Sequence, residues 1–275
     1  MATPIGNLAD ITYRAVETLR SVDLIAAEDT RHSRILLDHY GVAAPVTSYH
    51  EHNKYEKAEV LVGKLKEGLD IALITDAGTP AISDPGEVLV GICRQEGIKV
   101  TSLPGPSAVI TAISLSGLPS RSFAFEGFLP ADNTERKSVL ERLRGEQRTI
   151  VLYEAPHRLK KTLELLLDTL GDRRICVCRE LTKIHEETPL MLLSEAVAAF
   201  AEQPPRGEFV LVVEGADPKK TAEESRSLWQ ELSLSEHLQQ YLDKGLDKKE
   251  AMKKMAADRG CSRRDIYNGL LEEER

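Results

Sequence analysis

Short β-branched runs alternate with amphipathic segments of helical length along the first 214 residues of the chain. The runs predict strands at residues 22–27, 46–49, 71–75, 100–103, 123–127, 149–153, 175–179 and 209–214. The amphipathic segments predict helices at residues 32–40, 54–67, 86–96, 107–116, 135–143, 156–170 and 194–202. Alternation of this kind is typical of right-handed βαβ units, so we expect an α/β fold with mostly parallel sheets.

Two breaks divide this pattern. Glycine and proline within residues 116–120 end one helix and begin a connection, and the strand pattern stops at residues 215–220. The sequence therefore predicts an N-terminal α/β domain at residues 1–117, a C-terminal α/β domain at 118–217 and a small helical module at 222–275.

The helical module combines a sharp turn with a strong local charge. Residues 244–264 carry eight basic and three acidic side chains, a balance of +5. A helix at 248–258 and a turn at 259–261 precede a second helix, for which Ser262 is a suitable N-cap and Asp265 stands three residues later. The segment thus has the pattern of a helix-turn-helix.

Modules of this type place their second helix against nucleic acid, so we predict that this one contacts RNA through Arg263 and Arg264. The alternative is a solvated helical hairpin that packs on the body of the protein or on a partner chain. The net charge of the whole chain is −8, which excludes a surface that is basic throughout. RNA contact is therefore expected only at the rim of a cleft and in the module.

The composition, 41% hydrophobic and 29% charged residues, is that of an ordinary globular protein. Four scattered cysteines predict no disulfide framework, and Cys176 and Cys178, two positions apart in a strand, should share one buried face. No ligand set with metal-binding spacing is present, so no metal site is expected. With no apolar run of membrane length and no secretory pattern at the first residues, we expect a cytoplasmic protein.

Four loops rich in glycine, proline and small polar residues flank the predicted strands and helices, at residues 3–8, 76–86, 103–108 and 204–208. Glycine lets the backbone approach a ligand closely, and a helix N-terminus exposes free N–H groups. None of the loops carries the Walker A or the Gly-x-Gly-x-x-Gly pattern, which disfavours a triphosphate or a dinucleotide. Together the loops predict a ligand cleft at the ends of the strands.

Charged residues cluster directly after three strands, at residues 27–32, 153–158 and 179–187. Side chains at the carboxyl ends of parallel strands are poorly placed for the core and well placed for a substrate. The alternative is a set of surface ion pairs. His157 and His185 fall in these clusters, but no Ser-His-Asp or Cys-His order accompanies them.

The loops and clusters together resemble one family closely, the bacterial small-subunit rRNA methyltransferase I group of the tetrapyrrole methylase superfamily. The resemblance runs from residue 2 to about 217 and on into the helical tail. It is carried by TPIGNL at residues 3–8, AEDTR at 27–31, TDAGTPAISDPG at 75–86, YEAPHR at 153–158, RELTK at 179–183 and RGEF at 206–209.

The resemblance implies a bilobal enzyme, usually a homodimer, that holds S-adenosylmethionine in a cleft between two α/β domains. Such enzymes methylate the ribose 2′-oxygen of a decoding-centre cytidine, position 1402 of 16S rRNA, in the assembled 30S subunit. The positions that match the cofactor site are Ala77, Gly78, Thr79, Ala81, Ile82, Ser107 and Ala108 in the first domain, with Tyr153, Leu181, Gly207 and Glu208 in the second.

Methyl transfer to a hydroxyl needs alignment and help with a proton, because a ribose hydroxyl is a weak acid. We hypothesise that Lys183 and Glu180, with Asp29 and Arg31 across the cleft, surround the 2′-oxygen. Lys183 would stabilise developing negative charge, while a carboxylate accepts the proton or tunes the lysine. The predicted substrate contacts are Gly6, Asn7, His157, Arg158, Arg263 and Arg264.

Members of this family carry a strand immediately before the TPIGNL loop, whereas this chain begins almost at the loop. Either the start is short or the first sheet lacks a strand, and we expect the loop at residues 3–8 to be poorly fixed. Rival functions are a precorrin or sirohaem-type methyltransferase, a diphthine-type protein methylase and a non-catalytic ribosome-binding scaffold. The acid/base cluster and the basic tail favour an RNA substrate.

Overall fold

The computed structural model describes residues 1–201, 205–218, 229 and 232–273. The chain forms two compact units, one of Met1–Leu143 with Arg148–Glu214 and one of Arg144–Gln147 with Gly215–Arg275. Residue 204 of the fourth loop, residue 202 of the last predicted helix and residues 222–228, 230, 231, 274 and 275 of the predicted module lie outside the described residues.

The described residues of the first unit form two sheets and the helices that flank them. Its strands are β1 (Leu24–Ala27), β2 (Val46–Ser48), β3 (Ile71–Ile74), β4 (Phe123–Phe128), β5 (Thr149–Glu154), β6 (Arg174–Arg179), β7 (Leu190–Leu192) and β8 (Phe209–Val213). Its helices are α1 (Tyr13–Ser21), α2 (Thr30–His39), α3 (Lys54–Lys66), α4 (Gly86–Gln95), α5 (Ala108–Leu115), α6 (Asn133–Arg144), α7 (Pro156–Leu170) and α8 (Leu193–Ala199). The predicted α/β class is confirmed.

The first sheet has the order β2-β1-β3 and is parallel throughout. The prediction of a strand at residues 100–103 was wrong. This segment accepts a hydrogen bond from the N–H of Ala2 at the carbonyl of Leu103 but is not paired as a strand of the sheet. Helix α1 was not predicted, although its buried Ala15, Val16 and Leu19 follow a helical spacing. The predicted domain boundary at residue 117 falls between β3 and β4 and stays a prediction.

The second sheet has the order β4-β5-β8-β6-β7, and only its β4–β5 pair is parallel among the described residues. The expectation of a mostly parallel sheet was wrong here, because β7 folds directly back on β6 and β8 enters between β5 and β6 from the opposite end. Phe209, which begins β8, pairs with Glu154 at the end of β5 and with Arg179 at the end of β6. The loops around these three residues therefore share one edge of the sheet.

Alternate residues of the second sheet fill two cores. Ile150, Leu152 and Val177 belong to the core that includes the buried face of α7, and Cys176 and Cys178 belong to the core that includes the buried face of α5. The two cysteines are fully buried with their Sγ atoms 3.7 Å apart, so their predicted location on one buried face is confirmed. Burial of each large apolar side chain stabilises the fold by roughly 1.5–3 kcal/mol.

Helix α7 begins and ends where the sequence predicts. Pro156 stands in its first turn, where the missing N–H costs no hydrogen bond, and Gly171 follows its last residue with φ +77°. Leu159, Leu163 and Leu166 are buried at the helical spacing of four and three residues.

The described residues of the second unit form three helices, α9 (Leu234–Asp243), α10 (Lys248–Arg259) and α11 (Arg263–Glu273), around a small core that includes Met255 and Ile266. The predicted helix-turn-helix pattern is confirmed. Gly260 ends α10 with φ +64°, the N–H of Asp265 donates to Ser262 Oγ, and the N–H of Ser262 donates to Asp265 Oδ2. Within the described part of the chain, no helix has the length and apolarity that a membrane crossing needs.

Candidate functional site

A cavity of about 500 Å³ lies within the first unit, where loops from both sheets meet. The first sheet contributes the loop after β3, and the second contributes the end of β5, the start of β8 and the loop after β6. The lining residues are Ile5, Glu28, Thr75, Asp76, Ala77, Gly78, Thr79, Ile82, Ser83, Asp84, Ser107, Ala108, Phe128, Tyr153, Glu154, Ala155, Pro156, Leu181, Glu208, Phe209 and Val210.

The loop after β3 is held in a strained shape by one carboxylate. Oδ1 of Asp84 accepts hydrogen bonds from the N–H of Ala81 at 2.8 Å and of Gly86 at 2.7 Å. Ala81 and Ser83 have φ angles of +65° and +61°, a conformation that costs roughly 1–3 kcal/mol for residues with a side chain. The strain points to a loop shaped for a ligand rather than for stability.

The first loop is anchored to the loop after β3. Thr3 and Gly78 exchange two backbone hydrogen bonds of 2.9 and 3.1 Å, and Thr3 Oγ1 donates to the carbonyl of Thr75 at 3.0 Å. The expectation that residues 3–8 are poorly fixed was therefore wrong at Thr3. Gly6 packs on the loop after β6, since a Cβ there would lie 2.6 Å from Cγ of Lys183.

Lys183 is held between two carboxylates at the edge of the cavity. Its Nζ lies 3.0 Å from Oε1 of Glu180 and 3.1 Å from Oε2 of Glu208. Oε1 of Glu180 also accepts the N–H of Glu208 at 3.0 Å. Gly207 allows this approach, since it has φ +93° and a Cβ there would lie 2.6 Å from the same oxygen.

The charges of this cluster are mutually stabilised. Burial opposes ionisation of Glu180, but the N–H of Glu208 and the ammonium of Lys183 outweigh it and lower the pKa of the Glu180 carboxyl. Burial likewise opposes the charge of Lys183, and the two carboxylates outweigh it and raise the pKa of Lys183. Lys183 is therefore a cation at neutral pH and a poor proton acceptor.

The cavity wall is acidic. Five of its lining residues are carboxylates, and none of the lining residues in the described chain is Lys, Arg or His: the acidic side chains are Glu28, Asp76, Asp84, Glu154 and Glu208. Burial raises the pKa of Asp76 and of Asp84. Glu154 is buried, and it accepts hydrogen bonds from Thr162 Oγ1 at 2.5 Å and from the N–H of Ala155 at 2.8 Å.

Four of these carboxylates were not among the predicted site residues. Glu28 follows β1, Asp76 follows β3 and Glu154 ends β5, so a rule that selects carboxylates at strand ends would have found them. Asp84 lies deeper in its loop, and no simple signal in the sequence distinguishes it.

The structure brings most of the predicted cofactor residues to one place. Ala81 and Gly207 do not line the cavity, and they shape its turns instead. Nine of the predicted positions line it: Ala77, Gly78, Thr79, Ile82, Ser107, Ala108, Tyr153, Leu181 and Glu208.

The four predicted catalytic residues fall into two pairs. Lys183 and Glu180 form the ion pair described above, whereas Asp29 and Arg31 pair with each other at 3.4 Å. Asp29 also accepts from the N–H groups of Arg31 and His32 and thereby caps α2. Neither Asp29 nor Arg31 lines the cavity, and their location opposite Lys183 stays a prediction.

The remaining predicted substrate contacts are dispersed. Asn7 caps the short 3-10 turn Leu8–Asp10, and His157 is exposed at the start of α7. Arg158 donates to the carbonyl of Leu129 and lies 3.4 Å from Glu154, so its guanidinium is held by the protein itself. Arg263 and Arg264 are exposed on α11 in the second unit.

Comparison with known proteins assigns the fold and the family. Residues 2–197 match the family of tetrapyrrole (corrin/porphyrin) methylases. A ribosomal RNA small subunit methyltransferase I from Halalkalibacterium halodurans is 48% identical over 268 residues, 98% of this chain and 92% of that protein. One from Synechocystis is 48% identical over 275 residues, 100% of this chain and 97% of that protein.

The solved structure of a diphthine synthase matches with a TM-score of 0.61 and 14% identity, covering 78% of this chain and 88% of its own, a likeness of fold alone. The predicted α/β fold of the tetrapyrrole methylase type, with a helical C-terminal region, is confirmed. The near-complete matches at 48% identity are more specific than the fold. This chain therefore belongs to the ribosomal RNA small subunit methyltransferase I group within the tetrapyrrole (corrin/porphyrin) methylases.

Proposed function

We propose that this protein transfers a methyl group from S-adenosylmethionine to the ribose 2′-oxygen of a decoding-centre cytidine of 16S rRNA in the 30S subunit. The observation that carries the proposal is the Lys183 ammonium, held between Glu180 and Glu208 where Glu208 lines the cavity. The names of the relatives that are 48% identical support an RNA substrate.

The cavity suits the proposed cofactor in size and charge. Its volume of about 500 Å³ lies within the range of ordinary ligand sites, roughly 300–1,000 Å³. When bound, S-adenosylmethionine supplies a methyl group on a positively charged sulfur. A wall with five carboxylates favours such a ligand and disfavours a polyphosphate. The residues that would hold it are the nine predicted cofactor positions that line the cavity.

Lys183, Glu180 and Glu208 at the edge of the cavity have different roles in the reaction of the hydroxyl. Lys183 stays protonated, so its role is to stabilise negative charge that develops on the attacking oxygen. Oε1 of Glu180 is already occupied by two donors, and the side chain is only 22% exposed, which makes Glu180 a positioning residue. Glu208, with a side chain 74% exposed, is the carboxylate that is accessible to accept the proton.

The proposal extends to the compartment in which the enzyme acts, its oligomeric state and its contact with RNA. We propose that it acts in the cytoplasm as a homodimer, as the resemblance implies, and that the second unit adds RNA affinity. The exposed basic residues of α10 and α11 support this role: they are Lys248, Lys249, Lys253, Lys254, Arg263 and Arg264.

The deciding experiment is transfer of radiolabelled methyl from S-adenosylmethionine to 30S subunits purified from cells that lack this methylation. We expect label in 16S rRNA, recovered as 2′-O-methylcytidine after nuclease digestion and mass spectrometry. Label in a tetrapyrrole precursor but not in the subunit would identify the rival methyltransferase. A calorimetric titration without heat of S-adenosylmethionine binding would identify a non-catalytic scaffold.

A further inference from the structure

The second helix of the helix-turn-helix presents an exposed aromatic ring beside two cations. Tyr267 on α11 is 51% exposed, and Arg263 and Arg264 precede it by four and three positions. Residues at these spacings are neighbours on one helix face. The three side chains therefore form one surface patch, which we call the Tyr267 patch.

The two arginines of this patch form no short ion pair with the described residues. Asp265, the carboxylate between the arginines and the tyrosine in the sequence, accepts the N–H of Ser262 at 2.9 Å. The hydroxyl and N–H of Ser262, and more weakly the charge of Arg264, lower the pKa of this carboxyl. Among the residues that the structure describes, neither Arg263 nor Arg264 forms an ion pair within 4.0 Å.

Arg259, another arginine of the helical module, forms hydrogen bonds within the module. Nε of Arg259 donates to Nδ1 of His237 at 3.1 Å, and its Nη2 donates to the carbonyl of Leu232 at 2.6 Å. Arg259 thus holds α10 to the start of α9, whereas the side chains of Arg263 and Arg264 form no hydrogen bond and no ion pair within 4.0 Å among the described residues. This contrast distinguishes a structural arginine from arginines available for a ligand.

The surroundings of Tyr267 also differ from those of other exposed tyrosines. Tyr13 and Tyr55, on α1 and α3, are more exposed, but each has a glutamate four positions later, Glu17 and Glu59. A carboxylate at that spacing would repel a phosphate beside the ring. The equivalent position after Tyr267 is Leu271, which is apolar and also exposed.

We propose that Tyr267 is a stacking platform for an unpaired base of RNA, with Arg263 and Arg264 on the flanking phosphates. This inference rests on the proposed RNA substrate and specifies how the second unit would recognise it. Unpaired bases stack on exposed aromatic rings, and adjacent cations neutralise the backbone that carries them. A second copy of the chain fits less well, because a two-fold contact would oppose two patches of the same charge.

The test measures binding by the full-length protein to a fluorescently labelled single-stranded oligoribonucleotide and to the same sequence as a duplex, over a range of KCl concentrations. For Tyr267→Ala we expect single-strand binding weaker by about 5- to 150-fold with an unchanged salt slope, because stacking releases no counterions. Tyr267→Phe keeps the ring and should bind like wild type. Arg263→Ala should lower the salt slope by about 1.

Tyr55→Ala is the matched control, and it should bind RNA like wild type. Thermal unfolding and S-adenosylmethionine titration establish that Tyr267→Ala is folded. Unchanged single-strand affinity of Tyr267→Ala, an equal loss on duplex, or a loss in Tyr267→Phe would each overturn the proposal. So would a change of oligomeric state in Tyr267→Ala without an effect on RNA.

The proposed function fails separately, if the wild-type protein transfers no methyl group to 30S subunits. The oligoribonucleotide assay does not depend on that result, because it measures binding without turnover.

Discussion

Nζ of Lys183 lies 3.1 Å from Oε2 of Glu208, although the two residues are 25 positions apart in the sequence. Strands β6 and β8 are antiparallel neighbours, so the loop that leaves one meets the turn that enters the other. The N–H of Glu180 donates to the carbonyl of Glu208 at 3.1 Å and joins the two segments. The lysine is thereby charged and held in place before any substrate arrives.

Replacing Lys183 by methionine should reduce turnover far more than cofactor binding. The substitution removes the cation that stabilises developing charge on the oxygen, a contribution of about 10²–10³ in rate for a comparable single donor. Methyl transfer to 30S subunits and calorimetry with S-adenosylmethionine measure the two effects. Lys66→Met is the control, since Lys66 pairs with Glu96 outside the cavity lining. Equal losses of rate and cofactor affinity would count against the assigned role.

Glutamine in place of Glu208 should reduce turnover far more than glutamine in place of Glu180. Each substitution removes a carboxylate that raises the pKa of Lys183, so in both variants the rate should fall at a lower alkaline pH than in wild type. Only Glu208→Gln also removes the proposed proton acceptor, so we expect for it a further rate loss of about 10²–10⁴ at all pH values between 6 and 9. Equal rate losses of the two variants at pH 7 would contradict the division of roles.

The contribution of the ion pair between Glu180 and Lys183 to the free energy of unfolding should decrease at both acidic and alkaline pH. The pKa of Glu180 is lower in the folded state than its ordinary value of about 4.5, so its contribution is present above that pH and is lost as pH falls through the folded pKa. The pKa of Lys183 is raised above about 10.5, so its contribution is lost as pH rises through the folded value.

The excess free energy of unfolding of wild type over Glu180→Gln should therefore be flat from about pH 5 to 10 and decline outside that window. Urea unfolding at a series of pH values measures it. An excess that grows as the pH falls below 4 would have the wrong sign for this ion pair.

Alanine in place of Gly207 should impair both stability and activity. The φ angle of +93° costs roughly 1–3 kcal/mol for alanine, and the new Cβ would lie 2.6 Å from Oε1 of Glu180. Gly68→Ala is the matched control, because Gly68 has φ +96° with no atom within 4 Å of its added Cβ. Urea unfolding should show a loss in both variants, and only Gly207→Ala should lose methyl transfer. Full turnover in Gly207→Ala would show that Glu180 does not position Lys183.

Deleting residues 222–275 should weaken 30S binding and reduce its salt dependence while leaving cofactor affinity intact. The reason is that the deleted unit carries exposed cations and the cavity lies wholly in the first unit. Each lost phosphate contact should lower the salt slope by about 0.7–0.9. Filter binding at several KCl concentrations and calorimetry provide the two measurements. Unchanged subunit affinity in the deletion variant would defeat the assignment of RNA contact to this unit.

The predictable part of the fold is the part that local chemistry controls. Pro156 and Gly171 mark the ends of α7, and Ser262 with Asp265 marks the start of α11, because capping and backbone conformation depend on neighbouring residues. Strand β7 was missed, since Leu190–Leu192 is too short for a periodic signal. The direction of β8 was also missed, because it depends on partners in β5 and β6 that are distant in the sequence.

The same division applies to the site. The sequence by itself determined that glycine-rich loops and charged clusters follow the strands, and nine of the eleven predicted cofactor positions do line one cavity. Only the tertiary structure decided which polar side chains face it. Arg158 is held by Leu129 and Glu154, while Asp84 reaches the cavity from within a strained loop. Side-chain burial and hydrogen-bond partners come from residues distant in the chain, and a local pattern carries no information about them.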